Sequence, residues 1–136
     1  MSRHCSLLFL ENDPRDIELF DAALKNLTRP TTLHVVKSIA EAKAFLEKSL
    51  TSSPQTIPDL VLVDVGLPGE NGLDFVEWCK NNPHFTRVRI VVFSGSKIMR
   101  DRSQAFRKGA GAFETKPLTI DDLTVQLARI LAEWCD

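Results

Sequence analysis

A chain of 136 residues with 17 basic and 18 acidic side chains, net charge −1, has room for one domain with a real core but none for an output module of ordinary size. That balance writes neither a nucleic-acid surface nor a membrane-attracted face, and no stretch approaches the roughly 20 apolar residues of a membrane span or the layout of a signal peptide, so a cytoplasmic protein is expected. Cys5, Cys79 and Cys135 are odd in number and match no metal-ligand spacing, which predicts reduced thiols, or simply small buried hydrophobes.

In chain order, residues 6–10 read as a buried strand that ends in the acidic loop Glu11-Asn12-Asp13. A helix follows, with Asp13 as N-cap, Pro14 at the first helical position, and Ile17, Phe20, Ala23, Leu24 and Leu27 as its apolar stripe. Residues 33–36 form a second short strand. Ser38 and Glu41 then make a capping box for a helix that buries Ile39, Ala42, Phe45 and Leu46. After a polar, proline-containing loop at 51–58, the run Leu60-Val61-Leu62-Val63 reads as a strand covered on both faces. Asp64 stands at its carboxyl end, followed by a loop rich in turn residues, Gly66, Pro68, Gly69 and Gly72.

Leu73, Val76, Trp78 and Cys79 continue as a helix that Asn81, Asn82 and Pro83 stop. A fourth strand at 89–93 delivers Ser94-Gly95-Ser96, small residues suited to a sharp turn or a close ligand. The helix predicted at 99–108 carries Arg100, Arg102, Arg107 and Lys108, either a solvated face or a docking surface, and Gly109 ends it. A fifth strand at 112–115 leads into Lys116-Pro117. The last helix is capped by Thr119, with Ile120, Leu123, Leu127, Ile130, Leu131 and Trp134 at helical spacing.

Five strands alternating with five helices predict a right-handed, doubly wound parallel sheet of the flavodoxin-like (βα)5 type, strand order 2-1-3-4-5. Such a sheet gathers Glu11, Asn12, Asp13, Asp64, Ser94 and Lys116 along one edge, at the carboxyl ends of its strands. Asp64 there either serves a ligand or caps its own turn. Clustered carboxylates need a cation, a raised pKa or distance. Mg²⁺ suits them, because it takes oxygen ligands and keeps several waters, while Lys116 offers a point charge and Ser94 a hydroxyl to a phosphoryl group. Asp64 would then be the nucleophile.

Glu11-Asn12 after the first strand, Asp64 with Leu67-Pro68 and Gly72 after the third, Ser94-Gly95 after the fourth and Lys116-Pro117 after the fifth together resemble the receiver domain of two-component response regulators, the CheY-like family. The resemblance covers nearly the whole chain. It implies that Asp64 accepts phosphate from the phosphohistidine of a sensor histidine kinase or of a histidine phosphotransfer protein. It also implies that Gly66 offers its backbone carbonyl to Mg²⁺ beside Glu11, Asn12 and Asp64, and that Ser94 and Lys116 bind phosphoryl oxygens. Phe113 falls at the family's aromatic switch position, although a strand residue there also reads as core. The bond before Pro117 would be cis, as it often is in this family. The segment 11–16 and the Trp134 ending look most like stand-alone receivers of the bacterial phytochrome-partner type.

Asn12 departs from the family, whose acidic pair ends in an aspartate that binds the metal directly; Asp13 either replaces that ligand or only caps the first helix. Two functions follow. One is a non-enzymatic, phosphorylatable switch that signals by protein interaction, including homodimerisation through 99–108, 112–115 and 119–134. The other is a pseudo-receiver, a protein-binding module with weakened Mg²⁺ chemistry. The charges of Glu11 and Asp13, which would repel a flavin phosphate, argue against a flavodoxin. Gly66 in the place of the second carboxylate argues against a dehalogenase-type phosphatase.

Overall fold

The computed structural model describes residues 3–95 and 99–136, with only the backbone of Met99 and Arg100; Ser96 and the Arg100 side chain of the sequence reading lie outside the described residues. The elements in chain order are β1 (Cys5–Leu10), α1 (Pro14–Lys25), β2 (Thr31–Val36), α2 (Ile39–Thr51), β3 (Leu60–Val63), β4 (Gly66–Leu67), β5 (Glu70–Asn71), α3 (Gly72–Asn81), β6 (Arg89–Ser94), α4 (Met99–Lys108), β7 (Ala112–Thr115) and α5 (Ile120–Trp134). Five strands form one parallel sheet in the order β2-β1-β3-β6-β7. This is the expected 2-1-3-4-5 order once the short β4–β5 hairpin is counted separately.

The central strands alternate sides as the pleat requires. Leu7, Phe9, Leu60, Leu62, Val91 and Phe93 face the layer of α1 and α5, where Phe20, Ala23, Leu127 and Ile130 meet them. Leu8, Leu10, Val61, Val63, Ile90 and Val92 face the other layer, against Ala42, Leu46, Phe75, Val76 and Ala105. Burial on both faces explains the unbroken apolar runs. The strand interiors of β1 and β3 are thus filled with apolar side chains, and the polar residues Glu11 and Asp64 follow directly at their carboxyl ends.

The helix starts follow their caps. Asp13 Oδ1 accepts from the Arg15 N–H at 2.9 Å, Ser38 Oγ from Glu41 at 3.2 Å, and Thr119 Oγ1 from Asp122 at 3.1 Å. Glu41 reaches back one residue further than a standard capping box and accepts from the Lys37 N–H at 3.0 Å. Helix α3 begins earlier than its apolar stripe, at Gly72, because Asn71 caps it by accepting from the Leu73 N–H at 2.9 Å. Between β3 and α3 the chain turns through Pro68-Gly69. Gly69 has φ 69°, which with a preceding proline is the pattern of a type II turn.

Two expectations are corrected. The Lys116–Pro117 bond is trans, and the cis bond among the described residues is Ser53–Pro54; an X–Pro isomer is chosen by tertiary surroundings that the dipeptide does not carry. Nor are all three thiols reduced. Cys5 opens β1 and Cys135 caps the end of α5, their Cα atoms stand 5.9 Å apart, and the two are joined in a disulfide. A separation of 130 residues in sequence hid that neighbourhood. Cys79 is free and buried, as the small-hydrophobe reading has it. No helix among the described residues is long and apolar enough to cross a membrane.

Candidate functional site

The register brings the polar residues together. Val63 lies opposite Val92, and Leu10 opposite Val63, so Glu11, Asp64 and Ser94 leave adjacent strand ends. Glu11 is held by a turn of its own making: its Oε2 accepts from the backbone N–H of Asn12 at 3.0 Å and of Asp13 at 3.2 Å. Asp64 Oδ1 accepts from the Gly66 N–H at 3.3 Å. Lys116 is delivered from β7, its N–H donating to the Ser94 carbonyl at 2.9 Å. Both carboxylates and Ser94 are buried, with Glu11 only 1% exposed and Asp64 7%.

The Lys116 ammonium is the hub. Its Nζ donates to Glu11 Oε1, to Asp16 Oδ2 at 2.7 Å and to Asp64 Oδ2 at 3.2 Å. An ammonium has three donors, so three carboxylates use all of them. Burial works against the charged lysine, but the hydrogen bonds to Asp16 and Glu11 and the charges of Asp64 and Glu11 outweigh it, leaving its pKa above the ordinary lysine value. Glu11 is pushed up, first by burial and then by the charge of Asp64, against the pull of Lys116. Glu11 therefore carries its negative charge at a cost that a further cation would relieve.

The Glu11 and Asp64 carboxylates are hard oxygen donors, the kind that fits a hard divalent cation. Among the described residues no three acidic, histidine or cysteine side chains converge as a metal cluster, so such a cation would rest on two carboxylates, neutral oxygens and water. Asn12 is exposed. Asp13 spends its carboxylate on the cap of α1.

Asp16 is the residue that sequence reading missed as part of the site. It lies three positions after the N-cap, in the first turn of α1, and a helix that starts directly at a strand's carboxyl end turns that position back toward the sheet edge. The spacing Asp13-x-x-Asp16 was the available signal.

Phe113 is buried against the α2–α4 layer beside Ala105 and Ala110, with Val92 as its partner in register. The α4, β7 and α5 stretch is partly tied up internally. Lys108 bonds Glu77 of α3 at 3.1 Å, Arg102 sits 5.6 Å from the Phe106 ring, and Arg129 grips Glu114 at 2.6 and 3.1 Å. Three large apolar side chains nevertheless stay exposed in this stretch and its lead-in loop: Phe106, Leu118 and Val125.

A doubly wound parallel sheet with two carboxylates and a lysine at the carboxyl ends of its strands defines a receiver-type fold. The response regulator receiver domain model matches residues 12–128, and the chain belongs to that family, whose members serve two-component signal transduction. The response regulator Rcp1 of a Synechocystis species is 25% identical over 130 residues, covering 96% of this chain and 88% of that one. Two solved structures are similar over nearly their whole lengths. The phosphorylated cyanobacterial phytochrome response regulator RcpA has TM-score 0.86 and 27% identity, covering 98% of this chain and 95% of its own. The Mn²⁺-bound form of Rcp1 has TM-score 0.81 and 25% identity, covering 96% and 94%.

Proposed function

We propose that this receiver accepts a phosphoryl group on Asp64 and passes the signal on by phosphorylation-dependent protein contact. The observation that carries the reading is the Lys116 Nζ at 3.2 Å from Asp64 Oδ2, in a buried site at the end of the central strand. An Asp64 oxygen attacks the phosphorus of a phosphohistidine, an O–P bond forms, the P–N bond breaks, and the imidazole nitrogen leaves with the electron pair. Lys116 then pairs with a phosphoryl oxygen, and Ser94, at the neighbouring strand end, bonds another. Glu11, Asp64 and the Gly66 carbonyl would hold Mg²⁺, whose chemistry here is to neutralise charge on the transferring group. Phe113, on the face of β7 that packs against Ala105 of α4, is the residue that would register the change toward α4. The donor is a histidine kinase or a histidine phosphotransfer protein, and the likeness to the phytochrome response regulator RcpA supports a phytochrome-type input.

Treatment with acetyl phosphate and Mg²⁺ followed by intact mass tests this. The wild type gains one phosphoryl group, Asp64→Asn gains none, and Lys116→Ala retains some labelling with weaker downstream effect. Labelling of Asp64→Asn would show that another residue is the acceptor. A pseudo-receiver reading is favoured by one observation, the exposure of Asn12 where the family keeps a metal-binding carboxylate. A wild type that takes no label at any Mg²⁺ concentration, yet still binds its partner, would establish it.

A further inference from the structure

All three N–H donors of Lys116 are engaged in the unphosphorylated protein, and two of the three acceptors have other work under the reading above. Glu11 is a cation ligand there, and Asp64 becomes an acyl phosphate. Asp16 has neither task, and its contact with Nζ, at 2.7 Å, is shorter than that of Asp64, at 3.2 Å. We propose that Asp16 is a positioning residue for Lys116, anchoring the ammonium from α1 so that it stays at the phosphorylation site while Glu11 turns to the cation and Asp64 is acylated.

The surrounding geometry is built for an anchor. Pro14 at the start of α1, the Asp13 cap on the Arg15 N–H and the bond from the Ile17 N–H to the Asp13 carbonyl at 3.0 Å fix the first helical turn, and with it the backbone of Asp16. On the other side, Lys116 is pinned by its own N–H on the Ser94 carbonyl and by Pro117 after it. The Asp16–Lys116 pair therefore closes the β1–α1 junction onto the β7–α5 junction. It is half-buried, with the Lys116 side chain 15% exposed and that of Asp16 36%, so solvent screens the contact only in part. Asp16 adds one negative charge at this edge, directed at the lysine.

The proposal rests on the phosphoacceptor reading, so its test has one arm that needs no phosphorylation. In ¹H–¹⁵N spectra of the unphosphorylated protein without donor or Mg²⁺, the hydrogen-bonded Lys116 ammonium, identified by its loss in Lys116→Ala, should give a slowly exchanging resonance. Asp16→Asn should broaden or erase it, Asp16→Glu should retain it, and Asp21→Asn, the same charge change at an α1 carboxylate that pairs with Lys25 instead, should leave it alone. With acetyl phosphate, Asp16→Asn should lower the maximal labelling rate roughly three- to tenfold, the effect of one ordinary hydrogen bond in a pair that solvent partly screens. The half-saturating concentrations of acetyl phosphate and of Mg²⁺ should not move, and Asp16→Asn should cost nothing further in the Lys116→Ala background. An unchanged ammonium resonance in Asp16→Asn, a shifted Mg²⁺ requirement, or losses that add to those of Lys116→Ala would each overturn the anchor. Failure of the wild type to take label, or labelling of Asp64→Asn, would instead overturn the phosphoacceptor reading, and the ammonium arm would then report only whether the contact exists.

Discussion

Gly72 packs its α-carbon directly against the backbone of Asp64: a β-carbon there would overlap the Asp64 carbonyl oxygen and stand 2.9 Å from Val63 Cγ1. The obstacle is mostly backbone, so neither partner can rotate away. The Gly72 N–H also donates to the Val65 carbonyl at 3.0 Å, which ties the start of α3 to the loop that carries the candidate phosphoacceptor. Gly72→Ala should therefore cost about 1–3 kcal/mol, the usual range for overpacking, and slow labelling of Asp64 by displacing its main chain. Gly66→Ala is the control, because nothing stands within 4 Å of a β-carbon at that position. Urea denaturation of the two variants separates them, and equal stabilities would refute the steric account.

Asn12 and Asp13 make opposite forecasts. Asn12→Asp restores a carboxylate beside Glu11 and should lower the Mg²⁺ concentration needed for labelling. Asp13→Asn should leave the Mg²⁺ requirement unchanged and cost about 1 kcal/mol or less, because asparagine also accepts the N–H that Asp13 takes from Arg15. Mg²⁺ titrations followed by labelling rate decide it. A large rise in the requirement of Asp13→Asn would mean that Asp13 leaves its cap to bind the ion.

The cysteines are separable by titration. Denatured without reductant, the protein should show one reactive thiol, Cys79, and three after reduction; reduction should also lower stability by about 2–4 kcal/mol, the usual worth of such a link. Burial pushes the Cys79 thiol up to about 12 from its ordinary 9.0, so the folded protein keeps a proton that the unfolded chain loses. A group raised in this way contributes stability that is intact below pH 9.0 and lost as pH climbs toward 12. Lys116, also raised, works in the same direction at still higher pH. Thermal unfolding should accordingly soften above pH 9.0, and less so in Cys79→Ala.

Phe106, Leu118 and Val125 are 43%, 96% and 72% exposed, apolar area on α4, on α5 and on the loop before it, the stretch expected to meet a second copy of the chain. Replacing all three by serine, or reversing charge at Arg107, should shift light-scattering mass toward the monomer in phosphorylated protein without changing the labelling of Asp64. Identical masses for wild type and variants would place self-association elsewhere or remove it.

The sequence alone determined the layered architecture, because short β-branched runs, caps and apolar stripes are local signals of burial and helix register. Residues 60–63, 99–108 and 112–115 are strand, helix and strand as expected, and their order permits one right-handed winding that gathers Glu11, Asp64, Ser94 and Lys116 at one edge. What tertiary structure decided was the choice among neighbours that only meet in space. The ammonium of Lys116 selects Asp16, 100 residues away, over Asp13, because the helix start turns one carboxylate toward the site and the cap engages the other. Cys5 and Cys135 pair because β1 begins where α5 ends. Hydrophobic periodicity says which face of an element is buried, and it carries no information on which polar group on a neighbouring element will stand within hydrogen-bond reach.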